Sequence, residues 1–130
     1  MENREASVRP WIEKATDDLE AAETLLAREP PKPSAAAFHC QQAAEKDLEG
    51  LLVYHGRRPP RTHNLEALLD LCTQYDEALR DLYDAVEPLT PFAVDVRYPD
   101  PGLAATEEEA TAALRHARQV RETVHACLPF

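Results

Sequence analysis

The placement of proline decides most about how this chain can fold. Proline has no amide hydrogen to donate and its ring collides with the preceding helical turn, so clustered prolines mark where helices stop. Eleven are present, at positions 10, 30, 31, 33, 59, 60, 88, 91, 99, 101 and 129. Most fall between stretches whose apolar residues recur at helical spacing, so they cut the chain into helical lengths and spoil few helices. Those stretches are rich in Ala, Leu and Glu, and the whole chain holds only three Gly, three Phe and one Trp. Sheet formers are scarce. A chain of 130 residues supports one hydrophobic core and not two. The expectation is one all-α domain over residues 1–130, an up-and-down bundle of about five antiparallel helices, four long and one short.

The first helix is expected from about Pro10 to Arg28, with Ser7 as its cap and Pro10 tolerated in the opening turn. Trp11, Ala15, Leu19, Ala22 and Leu26 form its core-facing stripe. After the stiff Glu29–Pro33 connector, Ser34 can cap a second helix from about Ala35 to Tyr54. Ala37, Phe38, Gln41, Ala44, Leu48, Leu51 and Leu52 make that helix the central and most buried one. Gly56 ends it, and Thr62 or Asn64 caps a short third helix carrying Leu65, Leu68, Leu69 and Cys72. A fourth starts near Asp76 with Leu79, Leu82, Tyr83, Val86 and Leu89, and fades across Pro88 and Pro91. Thr106 and Glu109 offer a capping box to the last helix. Its stripe is Ala110, Ala113, Leu114, Ala117, Val120, Val124 and Leu128.

A formal net charge of −10 argues against nonspecific adhesion to nucleic acid or anionic membrane, which depends on Lys and Arg displacing counterions. Any anion site must be local. Cys40, Cys72 and Cys127 are odd in number, widely spaced and set beside apolar residues, as expected of reduced thiols in a cytoplasm. Neither a signal-peptide pattern nor an apolar run long enough to span a membrane is evident.

If short connections force sequential helices to alternate in direction, the loops after the second and fourth helices share one pole of the bundle. Arg57, Arg58, Arg61, His63, Arg97 and Tyr98 would then gather there, beside the amide-rich starts of the third and fifth helices. That is the composition of a phosphate or carboxylate pocket. The competing reading is that the arginines solubilise their loops or pair with Asp95 and Asp100.

Phe38-His39-Cys40-Gln41-Gln42-Ala43-Ala44-Glu45-Lys46 with Leu48, Leu51 and Leu52, then Thr62-His63-Asn64-Leu65, then Arg97-Tyr98-Pro99, together resemble the HEPN domain family. The name abbreviates higher eukaryotes and prokaryotes nucleotide-binding. The Trp11–Leu26 helix fits the same pattern, so the resemblance spans nearly the whole chain. It implies a helical bundle, frequent homodimers, and frequent pairing with a small nucleotidyltransferase in two-component toxin and antitoxin systems.

Many such proteins are metal-independent ribonucleases, marked by an Arg with a His four to six residues further on, near the fourth helix. His can move a proton near neutral pH while Arg stabilises phosphorane charge. After Arg97 the residues at that distance are Gly102, Leu103 and Ala104, and none is His. Arg58-Pro59-Pro60-Arg61-Thr62-His63 meets the bare spacing, but in the second loop. The functional expectation is therefore a nucleotide- or RNA-phosphate-binding and partner-assembly module, its anion site made of Arg57, Arg58, Arg61, Arg97 and Tyr98. The alternative is an endoribonuclease toxin that rebuilds the catalytic pair from Arg97 and His63. Tyr98 is also a candidate hydroxyl acceptor for nucleotide modification by the partner.

His39, Glu45 and Lys46 are read as helix-tying residues, with Lys46 reaching an Asp on a neighbouring helix and Glu45 and Glu49 as solvation or interface features. His116 and His125 lack partners at ligand spacing, so no metal site is expected. No cofactor motif is present.

Overall fold

The computed structural model describes residues 4–93 and 104–130. Among the described residues are five α-helices: α1 (Arg4–Ala27), α2 (Pro33–Tyr54), α3 (Leu65–Cys72), α4 (Tyr83–Val86) and α5 (Glu107–Ala126). The described residues contain no strand. The all-α reading holds, with α4 reduced to one turn between 3-10 segments at Glu77–Leu82 and Glu87–Ala93. Pro88 and Pro91 have no amide hydrogen to extend an α-helix there, yet Leu79, Leu82, Val86 and Leu89 all still reach the core. Hydrophobic spacing found the right residues without a continuous helix to carry them.

Two other boundaries moved. α1 begins six residues before Pro10, because Val8, fully buried, anchors the early turns against α2. α2 starts at Pro33 with no side-chain cap, and Pro33 fills the first helical position, where a missing amide hydrogen costs nothing. Ser34 is not the cap. Its Oγ accepts from the amide of Ala105 at 2.8 Å, tying the approach to α5 onto the start of α2.

α2 is the central element. It packs against α1, α3, α5 and the Glu87–Ala93 segment, and Ala37, Gln41, Ala44, Leu48, Leu51 and Leu52 are fully buried along it. α1 runs antiparallel to it. Arg4 Nη1 donates to the Tyr54 carbonyl at 3.1 Å, and His39 Nδ1 lies 2.8 Å from Asp18 Oδ1. Where the two helices cross, a Cβ on Gly50 would sit 3.1 Å from the Trp11 Cβ, so glycine sets the closeness of the approach.

The strict alternation of directions does not hold. Gln41 Nε2 donates to the His63 carbonyl at 3.2 Å, Cys72 Sγ reaches the Leu48 carbonyl at 3.5 Å, and Tyr75 stacks on His55 with ring centres 4.1 Å apart. Rising along α3 therefore means rising along α2: the two are parallel. α5 also runs parallel to α2, from the Ser34–Ala105 bond, past the His125–Asp47 contact of 3.4 Å, to the Tyr54–Phe130 ring contact of 6.1 Å. The physical reason lies in the α2–α3 connection. From Gln41 to His55 a helix rises about 21 Å at 1.5 Å per residue, and the eight extended steps from His55 to His63 reach about 27 Å. Pro59 and Pro60 favour that extended form, so the connection folds back along α2 instead of turning at its end.

Candidate functional site: the arginine-rimmed cleft

Gly56 stops α2 by taking the left-handed conformation, φ 75°, which most side chains disfavour. The returning segment then lies over the middle of α2. Between them is a cleft of about 460 Å³ lined by Trp11, Glu45, Lys46, Glu49, Arg58, Pro59, Pro60, Arg61, Thr62 and His63. Asn64 closes the segment and starts α3 by accepting from the Ala67 amide at 3.1 Å.

Glu45 organises the cleft floor. It is buried, and its carboxylate takes Gln41 Nε2 at 3.4 Å, His63 Nδ1 at 2.9 Å and Lys46 Nζ at 3.3 Å. An ionised carboxylate only accepts, which puts the ring proton of neutral His63 on Nδ1 and leaves Nε2 as the basic atom. The His63 side chain is 72% exposed, so that nitrogen belongs to a ring open to solvent while Glu45 fixes its orientation.

Lys46 also pairs with Glu49 at 3.3 Å and stands 5.9 Å from the centre of the Trp11 ring, within reach of a cation–π contact. Burial works against the Lys46 charge, but Glu49 and Glu45 outweigh it and hold the amine above the ordinary lysine value. Burial also raises the Glu49 carboxyl; Lys46 pulls it back and Glu45 pushes it further up.

The cleft thus gathers three of the expected residues, Arg58, Arg61 and His63. Arg57 is exposed at the foot of the connection and is not among the lining residues. Arg97 and Tyr98 lie outside the described residues. The start of α5 is no anion site either. Thr106 and Glu109 cap it reciprocally at 3.0 Å each, Glu107, Glu108 and Glu109 occupy its first turn, and it lies beside Ser34. Lys46 pairs within its own helix and not with a neighbouring Asp. Of the two roles expected for Glu45 and Glu49, solvation or an interface, burial removes the first. His39 does tie α2 to α1, as expected.

Trp11, Glu49 and the anchoring role of Glu45 were not read as parts of a site. The available signal was the run Glu45-Lys46-Asp47-Leu48-Glu49, four charges in five residues on the helix read as most buried. Charge in such a place needs partners, and partners converge.

The HEPN domain model matches residues 8–127. This chain belongs to the HEPN family. Among solved structures, TT1696 from Thermus thermophilus is 28% identical, with TM-score 0.75 over 93% of this chain and 98% of that one. ST0689, described as an archaeal HEPN homologue, is also 28% identical, with TM-score 0.71 over 92% and 95% of the two chains. A comparison with curated proteins found no match. HEPN membership marks the chain as a nucleotide- or RNA-related helical module. Among the described residues no helix is long and apolar enough to cross a membrane.

Proposed function

We propose that the cleft binds the phosphate of a nucleotide or an RNA strand, and that the chain serves as a binding and assembly module. The observation that carries this reading is that Arg58, Arg61 and His63 line one cleft, where Glu45 and Glu49 already hold Lys46, in a chain of net charge −10. Arginine guanidinium groups match phosphate oxygens two at a time, and an aromatic wall suits a base. The wider proposal is a homodimer in a two-gene, toxin–antitoxin-like system, working in the cytoplasm with a small nucleotidyltransferase. It rests on the likeness carried by Arg97-Tyr98-Pro99 and the α2 motif.

Trp11 is the sole tryptophan and lines the cleft, so it reports on occupancy. Titration with nucleoside triphosphates or single-stranded RNA should change its fluorescence, and Arg58→Ala with Arg61→Ala should weaken the response at least tenfold. No response and no heat of binding from any of these ligands would overturn the reading. Coexpression with a nucleotidyltransferase, followed by light scattering, tests the assembly.

A second reading has its own observation, the Glu45–His63 pair at 2.9 Å. A carboxylate that orients an imidazole and leaves its other nitrogen free is how a proton-transfer histidine is held. His63 with Arg97 would then cleave RNA without metal. That activity should persist in EDTA and vanish in His63→Ala and in Arg97→Ala; intact RNA after prolonged incubation excludes it.

A further inference from the structure

The floor of the arginine-rimmed cleft has its own pattern of donors and acceptors. Lys46 and Glu49 lie side by side there, Nζ to Oε1 at 3.3 Å. Their hydrogen-bonding capacity is only partly used. Of the three N–H donors on the Lys46 ammonium, one goes to Glu49 Oε1 and one to Glu45 Oε2, at 3.3 Å each. The third is left over, and Glu49 Oε2 accepts no hydrogen bond from the described residues. Glu45, by contrast, has both oxygens engaged: Oε1 takes His63 and Gln41, and Oε2 takes Lys46. Water offers the Glu49–Lys46 pair little compensation, because the Glu49 side chain is only 10% exposed and that of Lys46 25%. A nearly dry carboxylate with a spare oxygen costs stability unless something pairs with it.

The order of these groups selects what can pair. Across the floor they run Glu49 Oε2, Glu49 Oε1, Lys46 Nζ, which is two acceptors followed by a donor. Oε1 keeps capacity beside Lys46, since each carboxylate oxygen has two lone pairs. The complement is a donor, a donor and an acceptor in a row. Among the four RNA bases only guanine carries that row on its Watson–Crick edge, as its 2-amino group, N1–H and O6. Adenine and cytosine put one amino donor beside acceptors, and uracil sets a single N–H between two carbonyls. The remaining walls suit the rest of a nucleotide. Lys46 Nζ is 5.9 Å from the centre of the Trp11 ring, so a base held by Lys46 is within stacking reach of the indole. Arg58 and Arg61 line the same cleft.

We propose that the cleft selects guanine, Glu49 accepting from the 2-amino group and N1–H while Lys46 donates to O6. This inference rests on the phosphate-binding reading above and adds the base to it. Trp11 supplies the stacking surface, and Arg58 and Arg61 hold the phosphate. The guanine belongs to a free nucleotide or to single-stranded RNA, which present the same edge.

Calorimetry on the full chain at about pH 8, where an ordinary carboxyl is ionised, tests this in two arms. One compares GTP, inosine triphosphate, ATP, CTP and UTP. The other compares a short oligouridylate with and without one internal guanosine. In the arm that carries the preference, guanine should be favoured at least tenfold. A preference among the triphosphates, with inosine triphosphate weaker than GTP because it lacks the 2-amino group, identifies a free nucleotide as the source. A preference confined to the oligonucleotides identifies RNA. Glu49→Gln should lose the guanine preference at least tenfold while still binding the other bases. Charge alone predicts the opposite sign, since removing a carboxylate from an anion site strengthens binding of every nucleotide. Equal affinity for all bases in both arms, or an intact guanine preference in Glu49→Gln, overturns the proposal and leaves the phosphate-binding reading standing. No binding in either arm overturns both.

Discussion

Single residues here show how burial sets chemistry. Cys40 and Cys72 are fully buried, and burial pushes both thiols up to about 12. Burial with the nearby Asp76 carboxylate puts Cys127 at about 11, but this thiol is only partly covered. Thiolate is the reactive form, so iodoacetamide at neutral pH should modify the native chain slowly and at Cys127 first, and all three thiols in urea. Mass spectrometry of the labelled peptides checks the order. Asp47 and Glu49 give a pH dependence of definite sign. Both carboxyls are raised by burial, so the folded state holds their protons more tightly than the unfolded state does. Their contribution to stability is present below the ordinary carboxylate range and is lost as pH rises through the raised values. Urea midpoints between about pH 4 and pH 7 should therefore climb in Asp47→Asn relative to the parent, most at the upper end.

At the scale of elements, close approach and capping carry the weight. Gly50 lets α1 and α2 touch, and its absent Cβ is matched by the Trp11 Cβ at 3.1 Å. Gly50→Leu should cost about 1–3 kcal/mol through overpacking, despite leucine's better helix propensity. Urea denaturation measures it. Asn64 caps α3 and Thr106 caps α5; replacing either by Ala should cost about 1 kcal/mol. Asn64→Ala should also loosen the segment that holds His63 over Glu45, which weakens ligand response at Trp11. Thr106→Ala should leave that response intact, because the start of α5 lies beside Ser34 and outside the cleft.

For the molecule as a whole, a net charge of −10 means self-repulsion in the compact state. Added sodium chloride should raise the melting temperature by screening it, most steeply below about 0.15 M, where the Debye length is still about 8 Å or more. A melting curve that falls with salt would show that ion pairs such as Arg118–Glu23, at 3.5 Å, outweigh the repulsion.

What the amino acids determined alone was the inventory of elements. Proline positions, apolar spacing, Gly56, Asn64 and the Thr106–Glu109 box are local signals, and local backbone chemistry reads them without help from distant residues. The core stripe of α5 and the buried face of α2 were legible for the same reason. Helix direction was not, because it depends on how far the connection between α2 and α3 reaches, and the ten residues 55–64 can either turn or double back. Tertiary structure chose the second. That choice laid Arg58, Arg61 and His63 over Glu45 and Lys46, and it paired Asp47 with a histidine 78 residues away. Both charge clusters form only when separate helices meet, and charges buried by that meeting must find partners or remain available to a ligand.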